Sequence, residues 1–303
     1  MHPKIKKALQ DPFFACSLIL NRIGGLVSDE HFLKWSYYLT FHRKLDLKNP
    51  KTYNEKLQWL KLYDRHDEYT KMVDKYEAKE YVASIIGEEY IIPTLGIYNS
   101  FEEIDFDKLP NQFVLKCTHD SGGVAICKDK ATFDIKAARK LLSRNLKRNK
   151  YSTSREYPYQ NVKPRIIAEA YMEDESGYEL KDYKFFCFDG DVKLLFVAAD
   201  RGVEGEETKF DFFDTEWNHL PFTNGHPNST KPVRKPENLE EMIAIAKKLS
   251  EGIPHVRVDL YNIRGKIYFG EITFFHWSGM TPFEPEEWDY KLGEYIHLPV
   301  SSK

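Results

Sequence analysis

Two acids and a guanidinium stand at regular intervals near the end of the chain. Arg257 and Asp259 alternate with apolar residues, and Glu271 and Thr273 do the same after a short glycine-containing turn. This pattern predicts a β-hairpin, on which residues two positions apart share a face. Carboxylates on rigid strands suit Mg²⁺, which takes one or two carboxylates together with the phosphates of a substrate. A cross-strand salt bridge between Arg257 and either acid is the alternative, and the hairpin alone favours neither.

A second reactive pattern follows an apolar stretch in the middle of the chain. Lys116 interrupts that stretch, and the polar turn that follows it contains Ser121, Gly122 and Gly123 before a second apolar stretch. Strand, glycine-rich turn and strand predict a flap whose backbone amides close over phosphates, with Lys116 reaching them from the sheet. The pattern is not a P-loop, since GxxxxGK[ST] is absent and the glycines open no helix. An ordinary hairpin whose lysine has a buried stem is the alternative.

Two predicted helices lie around these groups. One spans 71–86, contains Lys75 in its first turns and ends at Gly87. The other spans 132–150, with Thr132 as its cap and the basic residues from Arg139 to Lys150 on a solvated face. A mobile loop rich in Tyr, Ser and Pro is expected to follow it.

Further charged candidates lie on predicted strands. A buried strand near 164–172 contains Glu169, and a hairpin over 181–201 turns at an Asp-Gly pair. Asp182 and Lys184 share one face of this hairpin, and Arg201 stands at its far end. The hairpin therefore presents an acid and a lysine side by side.

Composition narrows the class of protein. The 303 residues are 42% hydrophobic and 15% aromatic, enough for a large core. A formal net charge of −3 argues against nucleic acid as a partner. The four cysteines lack metal-ligand spacing, so we expect no zinc site, no disulfide framework and a reducing cytoplasm. We also expect no signal peptide and no membrane span.

Residues 1–45 combine aromatic and apolar stretches with basic residues. The favoured interpretation is a helical appendage that buries Phe13, Leu18, Leu20 and Trp35 on the main body. The alternative is peripheral contact with an anionic membrane surface, with tryptophan and tyrosine at headgroup depth.

In order along the chain, these motifs resemble the ATP-grasp superfamily over roughly residues 71–275. Finer features are similar to its TupA-like subgroup, named for teichuronopeptide biosynthesis, and extend over nearly the whole chain. The segments that carry this resemblance are Pro50–Lys61, Asp74–Tyr76, Phe113–His119, Asp182–Phe186, Arg257–Tyr261 and Phe269–Phe274.

The resemblance implies an α+β ATP-grasp fold, in which two α+β lobes grip ATP between antiparallel sheets, with a helical N-terminal extension. It divides the chain into a helical region over 1–70, linking elements over 71–110, a small lobe with the flap over 111–175 and a large lobe with the metal site over 176–303.

The resemblance also implies an ADP-forming carboxylate–amine ligase that uses ATP and Mg²⁺. The residues matching its nucleotide site are Lys75 and Lys116 at the phosphates, Ser121, Gly122 and Gly123 in the flap, Glu169, Ala170, Tyr171 and Met172 in the adenine hinge, and Asp182 at the ribose or a phosphate. Those matching its metal site are Asp259, Glu271 and Thr273, the last standing where the superfamily has asparagine. Arg257, Arg201 and Lys184 are the predicted catalytic cations.

For substrates, the subgroup implies cell-surface polysaccharide assembly such as that of a capsule. The carboxyl donor would be a sugar acid, for example a uronic acid, or an acidic peptide, and the amine an amino acid. A glycosyltransferase is the alternative, although no sugar-donor motif stands out. A nucleotide-binding protein without catalysis is a third interpretation, which the presence of Asp259 and Glu271 makes less favourable. The expected location is the cytoplasm or the inner face of its membrane.

Overall fold

The computed structural model describes residues 10–177, 180–200 and 205–299. Its helices are α1 (Pro12–Ile23), α2 (Asp29–Phe41), α3 (Tyr53–Tyr63), α4 (Glu68–Val73), α5 (Glu77–Ile86), α6 (Ile135–Asn145), α7 (Lys150–Ser154), α8 (Leu239–Leu249) and α9 (Glu287–Glu294). Its strands are β1 (Thr94–Tyr98), β2 (Phe113–Cys117), β3 (Val124–Cys127), β4 (Ile166–Ala170), β5 (Asp182–Phe188), β6 (Asp191–Ala199), β7 (Lys209–Asp214), β8 (Thr223–Asn224), β9 (His255–Ile263), β10 (Lys266–Thr273) and β11 (Phe283–Glu284).

Two antiparallel sheets form the framework. The strand order is β1-β4-β2-β3 in the four-stranded sheet and β10-β9-β5-β6-β7 in the five-stranded sheet, and β8 pairs separately with β11. All these neighbours pair antiparallel. The predicted α+β organisation is therefore confirmed, whereas the division into four regions stays a prediction.

Each large sheet has its own hydrophobic core. The apolar side of α8, with Met242, Ile245 and Leu249, packs on β5, β6 and β9. Phe113 of β2 and Leu142 of α6 belong to the separate core of the four-stranded sheet. Fully burying such a side chain contributes about 2 kcal/mol, so the helix packed on each sheet stabilises that sheet.

The N-terminal helices α1 and α2 are present and are held to the main body. Asp29 at the start of α2 pairs with Arg65 over 2.8 Å and with Arg155 over 3.0 Å. Leu20 is buried as expected, but Phe13, Leu18 and Trp35 are 40%, 38% and 49% exposed. The expectation that all four are buried is wrong for these three, because a helix turns about 100° per residue and its inner stripe holds only some of them. No described helix has the length and hydropathy needed to cross a bilayer.

Two helix predictions need correction. α6 begins at Ile135, after Thr132, because the Asp134 carboxylate accepts a hydrogen bond from Ala137 N over 2.9 Å and caps the helix there. The predicted helix over 71–86 is interrupted at Asp74, whose carboxylate accepts from the next backbone amides and ends α4. This interruption frees Lys75 from either helix.

Candidate active site

The predicted acidic hairpin is present as β9 and β10, and β5 pairs with the other edge of β9. Glu271 lies opposite Asp259, and Thr273 lies opposite Arg257. Lys184 of β5 lies opposite Asp259 on its other side. Since directly paired residues of antiparallel strands share a face, these five side chains form one polar cluster.

A β-bulge places Glu271 on this face. Phe269 is paired with Leu260 and Glu271 with Asp259, so Gly270 is the extra residue of β10. In a regular strand, Phe269 and Glu271 would share a face; the bulge sends Phe269 to the core and Glu271 to the cluster. A Cβ at Gly270 would lie 3.0 Å from the Asp259 carbonyl oxygen, which favours glycine.

Asp259 is the fully buried centre of the cluster. Arg257 donates to its two oxygens from Nε and Nη2, each over 2.7 Å. Lys184 Nζ contacts the same carboxylate and lies 3.2 Å from Asp182. Burial lowers the pKa of Lys184 although Asp259 opposes the shift. The salt bridge considered from the sequence is therefore present, within the same cluster as the candidate metal ligands.

Glu271 is the more accessible acid, with a side chain 37% exposed. Arg257 Nη2 reaches it over 3.3 Å, and Lys75 Nζ lies 4.0 Å away. Desolvation raises the pKa of Glu271, but Lys75, Lys184 and Arg257 outweigh it and hold the pKa well below its ordinary value. Glu271 is thus an ionised carboxylate that faces both Arg257 of the sheet and Lys75.

Lys150 is a cation of this region that the sequence analysis assigned to a solvated face. In the structure it begins α7, with Nζ 3.0 Å from Glu156 and 4.1 Å from the ring centre of Tyr159. Burial opposes its charge, but Glu156 and Tyr159 raise the pKa of Lys150 above its ordinary value. Its charge also lowers the pKa of Glu271. The Tyr-rich segment after it, predicted as a mobile loop, contains α7 and a 3₁₀ turn at Tyr157–Tyr159.

The flap is the turn between β2 and β3. Lys75 joins it to the five-stranded sheet, because Nζ donates to Asp120 O over 2.6 Å while also facing Glu271. The Asp120 carboxylate accepts hydrogen bonds from the amides of Gly122 and Gly123. The amides predicted to meet phosphate are thus paired with a carboxylate of the flap itself.

Close packing accounts for the glycine at position 123, whereas the tip of the flap is exposed. A Cβ at Gly123 would lie 2.8 Å from Cys117 Sγ, so a larger residue would force the two strands apart. Ser121 and Gly122 are exposed at the tip. Cys117 is buried beneath the turn.

Lys116 and a lysine missed by the sequence analysis share one acid. Glu169 of β4 lies 2.6 Å from Lys116 Nζ and 2.5 Å from Lys79 Nζ. Burial raises the pKa of Glu169, but the two lysines reverse the shift and lower it. Lys79 lies on α5, and its ammonium also donates to Ile92 O over 2.8 Å. Only tertiary contact brings it here, and no local pattern marks it.

The predicted hinge follows the same strand. Ala170 ends β4 and its amide donates to Pro93 O over 3.0 Å, while Tyr171 and Met172 are half-buried beyond the strand. Their contact with adenine, like that of Asp182 with ribose, stays a prediction. Arg201 lies outside the described residues.

The donor set of the hairpin fits Mg²⁺ held together with phosphate. Asp259 and Glu271 offer two carboxylates and Thr273 a hydroxyl, and Mg²⁺ completes such a set with phosphate oxygens and water. Within the described ranges, no group of three or more acidic, histidine or cysteine side chains is arranged to hold a metal ion. Cations surround the two acids, namely Lys75, Lys150, Lys184 and Arg257. Acids and cations in this arrangement suit a metal–polyphosphate better than a bare metal ion.

Comparison with solved structures gives distant similarities. D-alanine–D-alanine ligase from Bacillus anthracis, complexed with ATP, is 19% identical, covers 67% of this chain and 55% of its own, and has a TM-score of 0.38. The ADP complex of N5-carboxyaminoimidazole ribonucleotide synthetase is 17% identical, with 82% and 57% covered and a TM-score of 0.44. The ATP-grasp ligase PsnB, complexed with a minimal precursor, Mg and ADP, is 11% identical, with 85% and 65% covered and a TM-score of 0.40. This chain spans little more than half the length of the first two.

The family assignment comes from the sequence. No match was found among curated proteins. The family model described as TupA-like ATPgrasp matches residues 55–297, a range that includes the flap, both large sheets and the acidic hairpin. The chain therefore belongs to the TupA-like ATP-grasp family.

Proposed function

We propose that this protein is an ATP-dependent, ADP-forming carboxylate–amine ligase. The observation that carries the proposal is the polar cluster, in which Asp259 and Glu271 lie opposite each other on paired strands. Arg257 contacts both acids, Lys184 contacts Asp259 from β5, and Lys75 links Glu271 to the flap. Family membership and the polyphosphate-like charge pattern support the same conclusion.

The reaction would take place in two steps. First, a carboxylate oxygen of the donor attacks the γ-phosphorus of ATP, and the bond to the β-phosphate oxygen breaks, leaving an acyl phosphate and ADP. The amine nitrogen then attacks the acyl carbon, phosphate leaves with the electrons of the C–O bond, and the nitrogen loses a proton. The products are an amide, ADP and phosphate. Such chemistry depends on positioning and on compensation of phosphoryl charge.

The residues predicted from the sequence have these roles in the scheme. Lys116 and Lys75 would bind the nucleotide phosphates, and the amides of Ser121, Gly122 and Gly123 would cover them. Arg257, Lys184 and Arg201 would face the acyl phosphate. Asp259 and Glu271, with Thr273 beside them, would hold Mg²⁺, which neutralises charge on the phosphate oxygens. Glu169, Ala170, Tyr171 and Met172 would line the adenine site, and Asp182 the ribose or a phosphate.

For the substrates, we propose a glycan or sugar acid such as a uronic acid and an amino acid, in the assembly of a cell-surface polysaccharide or teichuronopeptide. This class is the one implied by the resemblance to the TupA-like subgroup, which is named for teichuronopeptide biosynthesis. The test is ADP release from the purified protein with a panel of sugar acids and amino acids, each tested alone and in pairs. ADP release that requires both partners, with an amide detected by mass spectrometry, supports the proposal.

The same preparation separates this function from glycosyl transfer. A ligase needs no nucleotide-sugar, so the amide should form with ATP alone as the nucleotide. Sugar transfer from a nucleotide-sugar without ATP or ADP formation would replace the ligase assignment by the glycosyltransferase one.

We further propose that α1 and α2 attach the protein to the cytoplasmic face of a membrane. Ile19, Leu26 and Trp35 are 59%, 91% and 49% exposed, and a groove of about 300 Å³ between the helices is lined almost entirely by apolar residues. Arg22 of α1 and Lys44, just after α2, are exposed, and Lys4, Lys6 and Lys7 precede these helices in the sequence. Basic residues near an anionic surface contribute about 1 kcal/mol each, and exposed aromatics add to binding.

Co-sedimentation of the full chain with anionic and with neutral vesicles tests this attachment. Ile19→Asp should weaken binding to the anionic vesicles, and high salt should weaken it further. Ile135→Asp is the matched control, because Ile135 is an exposed residue of α6, 43% accessible and outside α1 and α2. Equal binding by both variants, or no binding at low salt, would contradict the attachment.

A further inference from the structure

His276 lies behind Arg257 and has no part in the reaction described so far. It follows β10 in the 3₁₀ turn His276–Gly279 and is buried. Nδ1 lies 2.7 Å from Arg257 Nη1, and Nε2 lies 2.9 Å from Asn224 Oδ1. His276 therefore connects the guanidinium with β8.

The partners of His276 determine which of its nitrogens carries hydrogen. Asn224 Nδ2 donates to the carbonyl oxygens of Thr281 and Pro282 over 3.2 and 2.9 Å. Because carbonyl oxygens only accept, the amide must present its own oxygen to His276. Nε2 therefore carries the hydrogen, and Nδ1 keeps the lone pair that Arg257, which only donates, requires. Burial and the charge of Arg257 lower the pKa of His276 well below its ordinary value, which agrees with a neutral ring.

The guanidinium is thereby held along two of its edges. Asp259 accepts hydrogen bonds from Nε and Nη2, and His276 accepts one from Nη1. In the part of the chain that the structure describes, Nη1 has no second protein acceptor. Since a guanidinium is planar, fixing these contacts also fixes the direction of the remaining Nη1 hydrogen.

The turn that holds His276 is maintained against backbone strain. Trp277, Ser278 and Gly279 have φ values of 47°, 58° and 60°, in the left-handed region. Non-glycine residues there cost about 1 kcal/mol or more each and persist only where the surroundings hold them. Lys61 and Gln58 of α3 do so by donating to the carbonyl oxygens of Ser278 and Gly279 over 2.8 and 2.9 Å.

We propose that His276, backed by Asn224, is a positioning residue that aims Arg257 at the acyl phosphate as a neutral hydrogen-bond acceptor. The aim of Arg257 rests on the proposed ligase function. Asp259 already places one carboxylate against Arg257, and a carboxylate at position 276 would add a second negative charge to the same guanidinium. A neutral acceptor orients the group without adding that charge.

Phenylalanine scanning of two buried histidines tests the proposal. His276→Phe removes the acceptor and keeps an aromatic ring beside Phe186 and Phe196. We expect kcat for ADP formation to fall about 10- to 100-fold, with KM for ATP changed by less than about threefold. His276→Asn, whose amide oxygen can replace Nδ1 as acceptor, should restore most of kcat.

His255→Phe is the matched control. His255 lies two residues before Arg257, is buried and neutral with a pKa of about 3 caused by burial, and contacts Tyr53 and the Cys187 carbonyl oxygen rather than the guanidinium. Its replacement should lower stability and leave kcat unchanged. In an Arg257→Lys background, His276→Phe should cause little further loss, because both changes act through one group. Equal kcat losses in the two phenylalanine variants, or additive losses in the double variant, would overturn the proposal.

Nitrogen-15 NMR gives a measurement that does not need turnover. We expect the Nε2–H tautomer for His276 and slow rotation of the Arg257 guanidinium, which becomes faster in His276→Phe although the Asp259 contacts remain. A charged ring, the Nδ1–H tautomer or unchanged rotation would refute the positioning role. If no ligase activity is found, the proposed function fails, and this measurement still decides whether His276 orients Arg257.

Discussion

Replacing Lys61 by methionine tests how the turn beside Arg257 is held in place. Lys61 is fully buried and donates to Ser278 O and Oγ, each over 2.8 Å, and to Gln58 Oε1 over 3.0 Å. Within the described ranges no carboxylate lies within salt-bridge distance of it, and burial lowers the pKa of Lys61 to about 7. The folded state therefore disfavours the ammonium form.

The size of the effect follows from the two pKa values. A lysine in the unfolded chain has a pKa of about 10.4, so between about pH 7 and pH 10.4 the unfolded state binds more protons than the folded one. In that window the free energy of unfolding rises by about 1.4 kcal/mol per pH unit, which amounts to roughly 5 kcal/mol across it. Below about pH 7 the cost of burying the charged Lys61 is complete and constant, and above about pH 10.4 it disappears.

Urea unfolding of wild type and Lys61→Met at about pH 6, 8 and 9.5 measures this difference. Methionine leaves the acceptors on Ser278 and Gln58 without a donor, but that cost does not depend on pH and shifts only the offset between the curves. Wild type should gain stability relative to Lys61→Met as pH rises from 7. Lys140→Met, at an exposed lysine of α6, should show no such trend. Parallel pH dependences for wild type and Lys61→Met would refute the reasoning.

Three further predictions concern the nucleotide site. Lys116→Ala should lower kcat/KM for ADP formation at least about 100-fold by removing a phosphate cation, with circular dichroism unchanged; wild-type turnover would argue against the site. Glu271→Gln should abolish metal-dependent ADP formation and weaken Mn²⁺ binding in the presence of ADP, measured by calorimetry, and an unchanged Mn²⁺ affinity would remove Glu271 from the metal site. Asp120→Asn should tighten ATP binding, measured by calorimetry, because the Asp120 carboxylate competes for the Gly122 and Gly123 amides. Weaker ATP binding would instead assign Asp120 a supporting role.

The sequence predicted the hairpins well because their signal is local. Alternation around a turn places Arg257, Asp259 and Lys184 on known faces without knowledge of the rest of the fold. The turn at Asp189 and Gly190 is of the same kind, and the structure has it. Such positions depend on a period of two residues and on turn chemistry, both of which can be read directly from the chain.

Contacts made by distant elements could not be predicted in this way. Lys79 reaches Glu169 from a helix, and Lys150 reaches the site from a segment that resembles a loop by composition. The partners of His276 come from β8 and β9, far apart in sequence. A helix start is hard to predict where two residues that can cap it stand close together. Thr132 was predicted as the cap of α6, and Asp134 is the cap in the structure.

The bulge at Gly270 has a consequence for recognising relatives of this protein. Gly270 is the extra residue. It lies between the part of β10 next to the turn and the part that contains Glu271. A chain without that residue would keep the acid opposite its partner Asp259, because the strand would simply become regular. The number of residues separating the two acids can therefore differ by one between proteins that present the same pair in space. A search pattern with fixed spacing would find only chains with the bulge or only chains without it, whereas one that allows a single gap before the acid would find both.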